Sequence, residues 1–270
     1  ISACLVGSEM CIRDRHRWIT RQVIRSAGLI LVDSEVQKRA VLSLGGSQEQ
    51  IVRFPWIDLN DLRDTHPDSS FRDKLGWQDR TVVVSVRTHD PEYAVDTLIR
   101  AIPIVLAQCP NVRFLIFGKG TQTTRLMRLA QELGVEEFLH FAGVVARERL
   151  LRYMKSCDIY VSTSLTDGTS SSLLEAMFLG VPAVVTSIGG NAEWLSDGLN
   201  GLMFDKCDPN ALAEAIVHLA ANRIEAERLA ERAMEHVRER VNWKLSSKKL
   251  VEMMSCMLAE CPRLTENPDS

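Results

Sequence analysis

The chain has 270 residues, of which 46% are hydrophobic and 25% charged, a composition typical of a soluble globular protein. Its 32 basic and 35 acidic side chains give a formal net charge of −3, which gives no indication of nucleic-acid binding. Its seven cysteines are scattered and odd in number, which favours reduced thiols in the cytoplasm over a disulfide framework or a zinc site.

The first fifteen residues do not match the rest of the chain. The stretch from Cys4 to Arg15 resembles the translation of a sequencing adapter joined to a gene fragment. It has neither the basic start nor the small-residue cleavage site of a signal peptide. We therefore interpret residues 1–15 as a non-native leader, with a frayed native terminus as the alternative.

Residues 16–63 contain a first group of elements. The apolar run Gly28–Val32 predicts a strand, and Asp33 and Ser34 after it predict the start of a helix. A second short strand is predicted at Ile51–Phe54. Because residues 64–80 lie in a polar stretch with proline and serine, we expect them to form a linker at a domain boundary.

From Thr81 onward, short apolar strands alternate with amphipathic helices. The predicted strands are Val82–Val86, Val112–Phe117, Leu139–Ala142, Ile159–Val161 and Val181–Val185. The predicted helices are Val95–Leu106, Leu126–Leu133, Leu150–Met154, Ser172–Leu179 and Pro209–Ala220. Residues 81–240 are therefore expected to form an α/β, Rossmann-like domain, with a buried parallel sheet and helices on both faces. A last helix is predicted over 241–260 and a disordered tail over 261–270.

The densest functional signal follows the strand Ile159–Val161. Asp167 stands where open α/β sheets bind ligands, and Gly168 lets the backbone approach one closely. The residues Thr169, Ser170, Ser171 and Ser172 offer N–H groups and hydroxyls at a helix start, which attracts phosphate. Glu175 is expected in the first turn of that helix. A capped helix with a solvated Glu175 is the alternative, but the combination favours a ligand site.

These residues carry a resemblance to a known family. Asp167-Gly-Thr, Leu174-Glu-Ala-Met177 and Gly180-Val-Pro resemble the Glu-x7-Glu motif of retaining glycosyltransferases of the GT-B fold, family 4 (glycosyl transferases group 1). Phe141-Ala-Gly143 and Asp197-Gly-Leu-Asn-Gly201 fit the same pattern. The resemblance covers about residues 27–241. It implies that residues 81–240 bind a nucleoside-diphosphate sugar, and that 16–63 are a remnant of the N-terminal, acceptor-binding Rossmann-like domain.

The resemblance also implies roles for individual residues. Glu175 would hold the ribose hydroxyls, Asp167 would contact the donor sugar, and the backbone from Gly168 to Ser172 would cradle the pyrophosphate. Arg87 would neutralise the leaving diphosphate, a role that suits a guanidinium. The remaining donor-binding candidates lie in turns that follow strands: Gly118, Lys119, Gly143 and Val144.

Two residues depart from the family pattern. Asp167 replaces the usual glutamate, which shortens the side chain by one methylene and keeps the carboxylate. Tyr93 stands where the family often has a lysine, six residues after the arginine, so a second cation on the diphosphate is lost. Lys119 is either a partial replacement or a solvated turn residue. His89, just after Arg87, is either a site residue or a loop histidine in water.

The implied function is transfer of a sugar from a nucleoside-diphosphate sugar to a glycan or lipid-linked acceptor in glycan biosynthesis. Retention of anomeric configuration is implied, with no metal ion and no cofactor. We expect most of the acceptor domain to lie outside this sequence, so that this piece binds donor weakly and transfers poorly. Whether that domain also makes peripheral contact with a membrane is left open. A non-catalytic nucleotide-sugar-binding module and a nucleotide-sugar epimerase on the same fold are the alternatives.

Overall fold

The structure, a computed structural model, describes residues 17–54, 57–241 and 243–259. The chain divides into two compact units. One spans residues 57–241, and the other combines the described residues up to 54 with those from 243 onward. The leader predicted at 1–15 and the tail predicted at 261–270 lie outside the described residues.

The smaller unit contains the first predicted strands. Ile30–Val32 pairs in parallel with Ile51–Arg53. Between them lies the helix Glu35–Ser43, whose first turn is capped by the Ser34 hydroxyl, which accepts a hydrogen bond from the backbone of Gln37 at 3.3 Å. Residues 17–26 and Trp243–Ala259 are also helical. The ring of Trp243 meets Phe54 edge-on at 5.0 Å, so the last helix belongs to this unit.

The larger unit is built on one six-stranded parallel sheet. Its strands are β1 (Thr81–Val86), β2 (Val112–Phe117), β3 (Leu139–Gly143), β4 (Ile159–Ser162), β5 (Ala183–Thr186) and β6 (Leu202–Phe204). Their order in the sheet is β3-β2-β1-β4-β5-β6, and every pair is parallel. The order reverses between β1 and β4. In open sheets of this kind, ligands bind beyond the carboxyl ends of the strands at such a point.

Helices connect these strands. They are α1 (Ser70–Leu75), α2 (Val95–Gln108), α3 (Thr123–Glu132), α4 (Arg147–Lys155), α5 (Ser171–Phe178), α6 (Gly189–Ala192), α7 (Pro209–Ala221) and α8 (Arg223–Arg240). Val82 and Val84 of β1 belong to one hydrophobic cluster, while Val83 belongs to a second. Because neighbouring strand residues point to opposite faces, both faces of the sheet are covered. The predicted α/β fold with a parallel sheet and helices on both faces is confirmed.

The structure differs from the sequence-based expectation at residues 64–80. That segment contains α1, and Phe71 and Trp77 within it are buried in one of the two hydrophobic clusters. Arg72 donates to Asp158 at 2.7 Å and to the carbonyl of Ser156. Most residues of this stretch are polar, but it also contains a few large apolar side chains, and their burial attaches the segment to the larger unit. The three-residue strand β6 was not predicted.

Candidate functional site

A cavity of about 310 Å³ opens beyond the carboxyl ends of β1, β2 and β3. Five of the residues that the sequence singles out line it: Arg87, Gly118, Lys119, Gly143 and Val144. Tyr93 and Leu150 are among the other residues of its wall. The residues come from three different turns, which the parallel sheet brings together because its strands all end on the same side.

Gly118 makes the floor of this cavity possible. Its φ of +115° lies where side chains are disfavoured, and a Cβ atom there would overlap the carbonyl oxygen of Arg87. The backbone N–H of Gly118 donates to the carbonyl of Gly143 at 2.9 Å. The turns after β1, β2 and β3 are thus packed backbone to backbone, and this contact requires a glycine.

Arg87 is held by polar groups on several sides. Its Nη1 forms an ion pair with Asp167 Oδ2 at 3.0 Å, and its Nε donates to the Ser162 hydroxyl at 2.9 Å. Its Nη2 donates to the Ser170 hydroxyl. The side chains of Arg87 and Asp167 are only 9% and 18% exposed. The guanidinium therefore joins the end of β1 to the end of β4 and to the start of α5.

Tyr93 occupies one face of the same guanidinium. The Cζ atom of Arg87 lies 5.6 Å from the centre of the Tyr93 ring, within the range of a cation–π interaction. Tyr93 ends the short 3-10 helix Pro91–Tyr93, and its carbonyl accepts from the Thr163 hydroxyl at 2.8 Å. At the position where the resemblance implies a second cation, this chain has an aromatic ring that stacks on the first.

The start of α5 carries the predicted hydroxyls. Ser170 is the N-cap, and its hydroxyl accepts from the backbone of Leu173 at 3.3 Å. The Ser172 hydroxyl shares a hydrogen bond with Tyr160 at 2.8 Å, and the Thr169 hydroxyl accepts from Trp194 Nε1 at 3.2 Å. Gly168 and Ser171 lie in the same segment. These side-chain contacts fix the segment.

Glu175 lies in the second turn of α5 rather than the first, because the helix begins at Ser171. Its side chain is 9% exposed, and Oε1 accepts a hydrogen bond from Arg147 Nη2 at 2.7 Å. Burial raises the pKa of the Glu175 carboxyl, and the Arg147 guanidinium opposes that rise. The interpretation of Glu175 as a solvated residue is wrong.

His89 is not a solvated loop residue either. It is 1% exposed, its Nδ1 lies 3.1 Å from the Thr123 hydroxyl, and its ring meets Phe141 edge-on at 5.9 Å. Burial lowers the pKa of its imidazole. These contacts anchor the turn that carries Arg87.

Three residues of the site were not predicted. Ser162 contacts Arg87, Arg147 contacts Glu175, and Trp194 contacts Thr169. Ser162 had a signal, since it begins a polar run directly after a buried strand. Arg147 had none, because its partner lies 28 residues away on another helix.

No group of three or more histidine, cysteine or acidic side chains in residues 17–54, 57–241 and 243–259 is arranged to hold a metal ion. Within the same part of the chain, no helix combines the length and apolar character that crossing a membrane requires.

The family model described as "Glycosyl transferases group 1" matches residues 68–236. A GDP-mannose-dependent alpha-(1-6)-phosphatidylinositol monomannoside mannosyltransferase of Mycolicibacterium smegmatis is 28% identical over 248 residues, which are 88% of this chain and 65% of the relative. A D-inositol 3-phosphate glycosyltransferase of Nocardioides is 26% identical over 88% of this chain and 56% of its own length. The chain thus spans less than two thirds of these relatives.

Solved structures support the fold. The crystal structure of Anabaena Alr3699/HepE in complex with UDP-glucose superposes with a TM-score of 0.78 at 24% identity, over 89% of this chain and 67% of that protein. Sucrose-phosphate synthase from Thermosynechococcus elongatus gives 0.79 at 21% identity, over 92% and 63%. At this identity the likeness concerns the architecture alone.

Proposed function

Because this chain belongs to the glycosyl transferases group 1 family, we propose that it binds a nucleoside-diphosphate sugar and contributes to transfer of the sugar to an acceptor. The observation that carries the proposal is the environment of Arg87. A nearly buried guanidinium lines the cavity, beside a turn that leads into the N-terminus of α5. Cation and helix start together suit a diphosphate.

In this proposal, different residues bind different parts of the donor. Arg87 and the backbone from Gly168 to Ser172 hold the diphosphate, and Asp167 contacts the donor sugar. Glu175 accepts hydrogen bonds from the ribose hydroxyls. Gly143 and Val144 lie beside the base, and Gly118 and Lys119 border the diphosphate from the turn after β2.

The proposed chemistry is cleavage of the bond between the sugar and the diphosphate. Negative charge then develops on the departing diphosphate, and a preorganised guanidinium in a water-poor site stabilises it. Asp167 Oδ2 already aligns Arg87 at 3.0 Å. We propose that transfer retains the anomeric configuration and needs no metal ion or cofactor. The acceptor is proposed to be a glycan or a lipid-linked molecule, a proposal supported by the mannosyltransferase relative that acts on phosphatidylinositol monomannoside.

A non-catalytic nucleotide-sugar-binding module is the second candidate. It is favoured by Tyr93 in the place of a lysine, since Arg87 and Asp167 together carry no net charge and no second cation stands at that position. Transfer and binding are separated by the variants R87A and D167A. In an enzyme both variants lower turnover in a protein of the relatives' length, whereas unchanged turnover in both supports catalysis elsewhere or none.

Binding is tested directly on this chain. A thermal-shift screen with UDP-, GDP- and ADP-sugars should raise the unfolding temperature with at least one donor, because a ligand of the folded state stabilises it. The matched control is R87A, which should lose that shift. An unchanged unfolding temperature with every donor at millimolar concentration contradicts the proposed function.

A further inference from the structure

The ion pair between Arg147 and Glu175 is unequal. The Glu175 side chain is 9% exposed, whereas Arg147 is 53% exposed. Arg147 bonds only to Oε1, and no described residue forms a hydrogen bond with Oε2. One oxygen of a mostly buried carboxylate is therefore occupied, while the other keeps its capacity to accept.

The position of Arg147 in its helix makes this contact informative. Arg147 is the first residue of α4, where the partial positive charge of the helix end disfavours a cation. Only three residues separate it from Gly143, and Gly143 to Val145 line the cavity. The carboxylate of Glu175 compensates an otherwise unfavourable charge at this helix start.

Other charged or titratable side chains near α5 have different partners. Helix α5 carries no other charged residue, and its packing neighbours are α4, α8, β4 and β5. Among the side chains that these neighbours carry, Arg149 bonds to Tyr153, Arg152 pairs with Asp68, and Lys155 donates to the carbonyl of Thr65. Arg238 stacks over Phe178, Arg240 donates to the carbonyl of Glu193, and Tyr160 bonds to Ser172. Glu148 follows Arg147 and no ion pair to it is formed among the described residues. Strand β5 has no titratable side chain.

We propose that Arg147 is a positioning residue of the donor site, which holds Glu175 by one oxygen and leaves the other to accept the ribose hydroxyls. This rests on the proposed function, in which Glu175 binds the ribose. The ionised carboxylate is an acceptor only, whereas the protonated carboxyl group carries an O–H that competes with the ribose hydroxyls as a donor. Burial raises the pKa of Glu175, and the Arg147 charge lowers it again, so Arg147 preserves the ionised form.

The opposite role is that Arg147 blocks the ribose position and has to leave before the nucleotide binds. The two roles predict opposite effects of removing the guanidinium. A blocking arginine makes R147A bind a nucleotide more tightly, whereas a positioning arginine makes it bind more weakly and at a shifted pH.

The test measures the affinity of this chain for UDP and for GDP by calorimetry over a range of pH, in the wild type, R147A and R147K. We expect the pH at which affinity falls by half to move upward in R147A. Below the raised pKa, affinity should fall about tenfold per pH unit, because only the ionised fraction binds. R147K should behave nearly as the wild type, since it keeps the charge.

R149A is the matched control, because Arg149 lies on the same helix and bonds to Tyr153 instead of Glu175. It should leave the pH profile unchanged. Melting curves of every variant show that each is folded. An R147A profile that coincides with the wild type at every pH, or tighter binding by R147A, overturns the inference while the proposed function stands. If the wild type binds neither UDP nor GDP, the proposed function fails and the inference fails with it.

Discussion

The two acidic residues of the motif, Asp167 and Glu175, each pair with an arginine, but the two pairs are built differently. Arg87 is 9% exposed and contacts Asp167, two serine hydroxyls and the Tyr93 ring. Arg147 is 53% exposed and contacts Glu175 alone among the described partners. In the first pair both members are mostly buried, whereas in the second only the carboxylate is.

This difference indicates that the two ion pairs have different roles. Removing one member of a buried pair leaves the other charge without compensation, so the Arg87–Asp167 pair is a fixed part of the site. The exposed guanidinium of Arg147 is held less tightly, so it can adjust its position while it keeps one oxygen of Glu175. The helix start between them, at Ser170 and Ser171, separates a fixed region from an adaptable one.

The largest expected effect follows from removing the buried cation. R87A should lower turnover about 10²- to 10³-fold in a protein of the relatives' length, because the departing diphosphate loses its preorganised charge. R87K should recover only part of it, since an ammonium cannot reproduce the fork that contacts Asp167, Ser162 and Ser170. Initial rates at saturating donor measure the effect, and equal rates for R87A and wild type would contradict a fixed catalytic role.

The backbone under Arg87 offers the next test, and it affects the first pair alone. In G118A the new Cβ overlaps the Arg87 carbonyl, and the residue is strained at a φ of +115°. We expect a loss of about 3 kcal/mol in the free energy of unfolding, or roughly 6–12 °C in melting temperature. G143A is the control, because its φ is +66° but nothing lies within 4 Å of a Cβ there. A G118A variant as stable as G143A would show that the close packing of these turns is not required.

Glu175 separates stability from binding. Its folded pKa is raised above the ordinary 4.5 by burial, so the ionised group costs stability. That cost is absent below the unfolded pKa and complete above the folded pKa, so stability falls as pH rises through this window. E175Q should therefore be more stable than the wild type above pH 4.5, by a margin that grows until the folded pKa is passed.

The same variant should bind UDP or GDP roughly 10- to 100-fold more weakly, because a charged acceptor for the ribose is lost. Thermal unfolding without ligand and a nucleotide titration give the two measurements. Lower stability of E175Q together with unchanged affinity would mean that Glu175 is a structural residue. The Arg147–Glu175 pair would then have no role in nucleotide binding.

The sequence predicted the strands and helices that show a periodic pattern of apolar and polar residues. The alternation of strands and helices located β1 to β5, and the glycine and hydroxyl run after β4 located the start of α5. The helix predicted from Pro209 is confirmed, and the Asp208 carboxylate caps it by accepting from the backbone of Asn210 and Ala211. These signals are local, because each depends on residues within one or two turns.

What the sequence did not predict depends on distant contacts. The Arg147–Glu175 pair joins two helices, and Ser162 lies 75 residues from Arg87. Burial of Phe71 and Trp77 depends on the surface that receives them, so a polar stretch was interpreted as a linker. The sequence indicated which residue types lie in the candidate site. It did not indicate their partners or their exposure, because the topology of the sheet sets both.

The smallest expected effect concerns Tyr93, which only the first pair possesses. Its ring stacks on Arg87 at 5.6 Å, and a cation–π contact of this kind contributes about 1 kcal/mol. Y93F keeps the ring and the backbone carbonyl that Thr163 uses, so its nucleotide affinity should match the wild type. Y93A should bind UDP or GDP about fivefold more weakly, because the guanidinium loses the surface that holds it in place. Y93K restores the second cation common in the family. If it binds more tightly than the wild type, the diphosphate is short of positive charge here; weaker binding by Y93K would show that orientation of Arg87 matters more than added charge.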